Sequence, residues 1–228
     1  HFSPPPAAGG AVAAEIFSMV LGKLLENDTA INAQPHLLIE TFVRAYSDRN
    51  QWMQTDGTIN INPQDLVSKK RINSLMASYN PDIYVPSAST DLKPPKIQED
   101  TSGTTFAVMD EDGMAVSCAL SMNSLFGNGL IAENTGILMA SPSTDGRGAI
   151  SLGPMLAVDH YSNDFFFAGA ASGGPTAPTA LVSVALSNVV DILSLENSIH
   201  AKRIHNSGNP DTVYFEKGYD KKAIDELI

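Results

Sequence analysis

At residue 104 the spacing of the apolar residues changes from about four to two, and that switch limits what the chain can fold into. Before it, "AVAAEIFSMVLGKLLEND" sets Val12, Ile16, Val20 and Leu24 at helical intervals, and "HLLIETFVRAYSDRN" does the same with Leu38, Phe42 and Tyr46. Asn62-Pro63 reads as the cap and first residue of a further helical stretch, "PQDLVSKKRINSLMASY", which divides naturally into two short helices. After the switch, "TTFAVMD" and "MAVSCALSMN" alternate on either side of "EDG", which predicts an antiparallel hairpin. More strands are expected at "TGILMAS", "MLAVDHY" and "DFFFAGAA", the last two joined by a turn at Ser162-Asn163-Asp164. Helices are expected at "PTALVSVALSNVVDILS", "SLENSIHAKRI" and "DKKAIDELI". Helices, then antiparallel strands, then helices predict one layered α+β domain.

Two properties of the strand at 114–123 bear on function. Met114, Val116, Cys118, Leu120 and Met122 share one face, the expected core face, and Ala115, Ser117, Ala119, Ser121 and Asn123 share the other. A file of small polar residues lets another group approach the backbone closely. Ahead of the hairpin, residues from about 80 to 103 lack periodicity and are rich in proline and small polar residues, the composition of a mobile linker. That linker ends in Thr101-Ser102-Gly103-Thr104-Thr105, a hydroxyl cluster at the mouth of the hairpin.

Charge and composition remove several functional classes. With 228 residues, 43% of them hydrophobic, the chain is long enough for a substantial core and is expected to be soluble. A formal net charge of −11 would repel nucleic acid. The single cysteine, Cys118, excludes an internal disulfide, and no Cys/His spacing suggests a metal site or a cofactor. No apolar run is long enough to span a membrane. "GNGLIA" imitates a dinucleotide fingerprint but has no βαβ unit around it, and Asn27-Asp28-Thr29 is a short glycosylation-like pattern. His200 and His205, near the end of a helix, read as capping or surface residues.

"AASGG", Ala170–Gly174, lies between an expected strand and an expected helix. Ser172 could stand at a nucleophile elbow, but that device asks for a parallel sheet, whereas the neighbouring strands read as hairpins. Alternatively, Gly173 and Gly174 could offer backbone N–H groups at a helix start to a developing oxyanion.

Taken in order, these segments resemble the γ-glutamyltransferase family of N-terminal-nucleophile hydrolases, along nearly the whole chain. "PPPAAGG" resembles the family's Pro-Pro-Pro-Ser-Ser-Gly-Gly segment and "AYSDRNQWM" its Ala-Tyr-Ala-Asp-Arg segment. "VMDEDGMAVSCALSMNSLFGNGLIAENTGIL" resembles the start of the small subunit, and "ISLGP" and "AASGGPT" resemble its serine and Gly-Ser-Pro-Gly-Gly segments. The resemblance implies a four-layer αββα sandwich, two stacked antiparallel sheets between helical layers. It also implies a precursor cut before a threonine that becomes the catalytic N-terminus, with residues 1–103 as the end of the large-subunit region and 104–228 as small-subunit region.

On that resemblance Thr104 is the expected nucleophile, with Thr101 and Thr105 as fallbacks. The family's spacing to Asp110 would put Gly103 in that place, and one residue along a strand reverses the side chain's face. Ser121 is expected to orient the Thr104 hydroxyl or amine, and Gly173 and Gly174 to donate to the oxyanion. Asn123, Asp145 and Ser151 are the expected substrate contacts, while Pro142 and Ile150 replace polar residues of the family pattern. The implied activity is amide hydrolysis or acyl transfer on a γ-glutamyl or related amide, with no cofactor and with the precursor's two subunits as partners. A relative that has lost turnover and only binds its ligand is the alternative. A periplasmic or extracellular setting, and further chain upstream and downstream, are also implied.

Overall fold

The computed structural model describes residues 1–5, 7–24, 30, 34–54, 58–85, 103–142, 152–162, 164–225 and 227. Among them, seven helices and six strands follow one another as α1 (Ala8–Leu24), α2 (Pro35–Trp52), α3 (Pro63–Leu66), α4 (Lys69–Leu75), β1 (Thr104–Met109), β2 (Ala115–Leu120), β3 (Met155–Val158), β4 (Phe165–Gly169), α5 (Thr176–Val189), α6 (Leu195–His200), β5 (Ile204–His205), β6 (Tyr214–Phe215) and α7 (Lys221–Asp225). The chain gathers into two compact units. One takes His1–Ala11, Met53–Asn60 and Pro94–Pro178, and the other takes Val12–Trp52, Ile61–Lys93 and Thr179–Ile228.

The second unit is mainly helical. On α1 and α2 the four-residue spacing is realised as burial: Val12, Ile16, Met19 and Val20, with Leu38, Phe42 and Tyr46, are sealed from solvent. The stretch at 63–75 does divide in two. Asn62 caps α3 by accepting from Gln64 N at 3.0 Å, and Ser68 caps α4 by accepting from Arg71 N at 3.3 Å. Arg44, buried on α2, pairs with Glu40 and donates from Nε to the Leu75 carbonyl at 2.9 Å and from Nη2 to Ser78 Oγ at 3.1 Å. Glu40 Oε1 also accepts from Val85 N at 2.8 Å, so the first residues of the expected linker, up to Val85, are held by α2. The sequence reading has no counterpart for the β5–β6 hairpin, which pairs Ile204 with Phe215 and His205 with Tyr214.

The first unit holds two antiparallel hairpins. β1 and β2 pair from Thr104↔Leu120 to Met109↔Ala115, across a turn in which Asp110 Oδ1 accepts from Asp112 N and Met114 N. β3 and β4 pair Met155 with Gly169 and Leu156 with Ala168, with an irregularity at Ala157/Val158. The strand expected at "TGILMAS" does not form. Positive φ at Asn134 and Gly136 bends that segment, leaving only an isolated bridge between Ile131 and Leu138.

The two faces of β2 are also used differently from expectation. The apolar face that should be core is half open, with Val116 52% and Leu120 51% exposed among the described residues. The small polar face is the one that packs, because Ser117 Oγ donates to the Gly169 carbonyl at 2.7 Å. Side chains no larger than serine let β4 come within hydrogen-bonding distance of β2's side chains.

Candidate active site

The site is assembled in the first unit by three backbone approaches. Ser3 N donates to Pro154 O at 3.3 Å and His1 N to Leu156 O at 2.6 Å, laying residues 1–3 along β3. Residues 9–10 then pass so close to Gly153 that a Cβ at Gly153 would collide with the backbone of Gly9 and Gly10. Glycine on both sides is what permits the crossing. "PPPAAGG" and "ISLGP" thus meet. Both blocks are legible in the sequence; their contact is not, and the glycines are its one local sign.

The second approach is at the start of β1. A Cβ built on Gly103 would lie 3.1 Å from the Leu120 carbonyl oxygen, 3.3 Å from Leu152 Cδ2 and 3.7 Å from Ser172 Cβ. Position 103 therefore faces the Ala170–Gly174 loop. The ladder register extends this: residues facing one another across β1 and β2 sum to 224, so Gly103, Thr105, Ala107, Ala119 and Ser121 lie on one face. Thr104, Phe106, Cys118 and Leu120 lie on the other. The register turns Thr104 and Ser121 to opposite sides, and Thr104 is exposed while Thr105 is half-buried.

The third element is the glycine turn itself. Gly173 has φ 136° and Gly174 φ 63°, conformations that favour glycine, and the chain then enters α5. Their carbonyls are engaged, Gly173 O by Thr176 Oγ1 at 3.0 Å and Gly174 O by Ala177 N at 3.1 Å. Among the described residues no hydrogen bond uses the Gly173 or Gly174 N–H. These two N–H groups lie just ahead of a 14-residue helix, where the positive end of the helix dipole favours negative charge.

Asn123 is tied into the loop beyond β2. Its N–H donates to Ser121 Oγ at 3.0 Å, its Nδ2 donates to Ser141 O at 2.9 Å, and Ser124 Oγ meets Ser141 Oγ at 2.6 Å. It sits at φ 58°, a left-handed conformation that asparagine tolerates. Asp145, Ser151 and Thr101 lie outside the described residues. The described residues contain no group of three or more metal-ligating side chains. Neither His200 nor His205, the histidines that could serve Ser172 as a base, is poised to do so. His205 is buried and bonded through Nδ1 to Thr179 Oγ1 at 2.9 Å, and His200 Nδ1 contacts the Glu196 carbonyl at 2.8 Å. Ser172 itself follows a strand in an antiparallel pair, which is not the parallel setting of a nucleophile elbow.

The first unit thus places a glycine turn ahead of a helix beside a strand end and a line of small residues, among them Thr105, Ser117 and Ser121. The chain belongs to the gamma-glutamyltranspeptidase family, whose model matches residues 1–228. Among curated relatives, "Glutathione hydrolase proenzyme" of Pseudomonas sp. (strain A14) is 30% identical over 145 residues, 63% of this chain and 25% of that one. The Escherichia coli (strain K12) protein of the same name is 22% identical over 248 residues, 97% of this chain and 42% of that one. The chain thus spans less than half the length of these relatives. A crystal structure of a mutant Helicobacter pylori gamma-glutamyltranspeptidase, 21% identical, aligns over 54% of this chain and 79% of that one with a TM-score of 0.43. No described helix is long and apolar enough to cross a membrane.

Proposed function

We propose that the chain is part of a γ-glutamyltransferase-like amidohydrolase or acyltransferase, made as a precursor and acting on a γ-glutamyl or related acyl-amide. In this reading its hairpins and helices belong to a four-layer αββα sandwich, residues up to 103 end the large subunit, and residues from 104 begin the small one. Membership of the family, with relatives named as proenzymes of glutathione hydrolase, supports it. The observation that carries it is the approach of position 103, at the start of β1, to Ser172, the residue before the Gly173–Gly174 turn.

The chemistry follows from the groups present. A threonine hydroxyl attacks the preceding carbonyl, the C–N bond breaks and the nitrogen takes the proton, leaving an ester that water hydrolyses. The freed α-amine has a pKa near neutrality and serves as base for the same hydroxyl. On substrate, that hydroxyl adds to the amide carbonyl, the oxyanion rests on the Gly173 and Gly174 N–H groups, and the amine leaves with the proton. Water or a second amine then takes the acyl group. Thr104 is the proposed nucleophile and Asn123, Asp145 and Ser151 are the proposed substrate contacts; Ser121, expected to orient Thr104, lies on the other face of the hairpin.

One observation favours a second reading, in which the scaffold binds its ligand without turning it over. The position that faces Ser172 is Gly103, which has no hydroxyl, and Thr104 points to the opposite face. The mass of the purified protein separates the two readings. Two fragments meeting at the threonine cluster, lost in Thr104→Ala, support the enzyme. An uncut chain that still binds a γ-glutamyl compound supports the binding protein. Cleavage and turnover that persist in Thr104→Ala remove Thr104 from the mechanism. Since Pro142 and Ile150 replace polar family residues, glutathione is expected to turn over more slowly than at least one other acyl-amide in a steady-state panel.

A further inference from the structure

Far from any role in that chemistry, Glu15 stands in the middle of α1 with no exposed surface. Neither of its carboxylate oxygens makes a well-formed hydrogen bond among the described residues, although the side chains of Asp48 and Trp52 stand close enough to interact with it. Among the described residues the cation beside it is Arg71 of α4, whose Nε lies 4.0 Å from Oε1. Arg71 is already committed: it grips Asp48 of α2 from Nε at 2.9 Å and from Nη2 at 2.7 and 2.8 Å. Asp48 is 3% exposed. Two buried carboxyl groups therefore share one guanidinium. The third group facing Glu15 is Trp52 of α2, whose buried indole Nε1 makes no well-formed hydrogen bond among the described residues and stands near enough to Glu15 to act as a weak donor.

An ionised carboxylate in a dry interior is strongly unfavourable unless paired, and here the partner's charge is spent on Asp48. Burial, followed by the negative charge of Asp48, raises the Glu15 pKa well above the ordinary carboxylate range, and Arg71 and Trp52 act weakly the other way. We propose that Glu15 keeps its proton in the folded protein and that this proton locks α1 against α2 and α4, making the helical unit a joint that loosens as pH rises. Opening the joint lets water reach Glu15, which releases one proton and becomes a solvated carboxylate. The neutral acid fits between Asp48 and Trp52; the anion does not.

The sign of the linkage is fixed by the direction of the shift. Well below the unfolded-state value of about 4.5 both states are protonated and the contribution to stability is complete. As pH rises the unfolded chain ionises while the folded one does not, so stability is lost progressively up to the folded pKa. Thermal unfolding of the full chain and of Glu15→Gln, followed between about pH 5 and 9, tests this. The midpoint of Glu15→Gln is expected to exceed wild type by a gap that widens with pH. Near neutrality wild type is expected to release about one more proton on unfolding than the variant does. A gap independent of pH would overturn the proposal. Infrared spectroscopy of wild type needs no variant: a protonated-carboxyl carbonyl band should be present at neutral pH and vanish on unfolding, and its absence would also overturn it.

Discussion

Compare the helical pair α1–α2 with the β1–β2 hairpin. The helices bury Ile16, Met19, Phe42, Tyr46 and Trp52 almost completely, and their buried charges are paired or, at Glu15, proposed to be neutral. Among the described residues the hairpin leaves Phe106, Val108, Val116 and Leu120 roughly half exposed, and what it packs is its small polar face. The difference teaches a division of labour. Side-chain volume holds the helices, whereas the hairpin's packed face uses small residues so that main-chain atoms of neighbouring segments can come close.

The comparison breaks most easily in the helices. Phe42→Ala removes a fully buried ring from close-packed surroundings and is expected to lower stability by about 3–5 kcal/mol, read by denaturant titration at constant m-value. A loss under about 1 kcal/mol would mean that α2 is not held by its core.

Gly174→Ala asks the opposite question of the other region. An added methyl at φ 63° disturbs the donor geometry at a small cost in stability, on the order of 1 kcal/mol. Under the proposed mechanism kcat should fall about a hundred- to a thousandfold, as when one oxyanion donor is lost. Unchanged kcat would take this turn out of the chemistry.

Acid should weaken the helical unit through His205. Burial pushes its pKa down to about 4, and it rests against Thr179 with Tyr46 edge-on at 5.9 Å. A depressed histidine leaves stability intact above its unfolded value of about 6.5, and stability is lost as pH falls from there toward 4. With allowance for partial solvation, the loss is roughly 2 kcal/mol. Because carboxylates titrate near the lower end, the reading is the difference between wild type and His205→Asn, which should shrink on acidification. This acid slope runs against the alkaline one assigned to Glu15, and the two variants separate them.

How much of this was legible depended on which atoms make the contact. The helices, both major hairpins and the α3/α4 division follow from side-chain period and caps, which are local. The missing strand at 135–141 failed because positive φ at Asn134 and Gly136 overrode an apolar run. The exposed face of β2 failed because alternation names two faces without saying which one packs. In the site, the Gly173–Gly174 turn was readable from its glycines. The meeting of Gly103 with Ser172 is a tertiary approach between residues far apart in the chain, and no local pattern records it. Glu15 left one sign, an acid inside the apolar run "AVAAEIF".

The smallest expected effect is the sharpest test of the contrast. Phe106 is 48% exposed on the open face of β1, opposite Cys118, so truncating it removes only part of a ring from contact and leaves no sealed cavity. Phe106→Ala should lower stability by under about 1 kcal/mol, since the lost area is small and the cross-strand pair contributes only a fraction of a kcal/mol. Phe42→Ala and Phe106→Ala delete the same atoms, so their ratio reports burial alone. If Phe106→Ala instead approaches the cost of Phe42→Ala in the same titration, the open face is covered in solution, and the hairpin is held by side-chain volume after all.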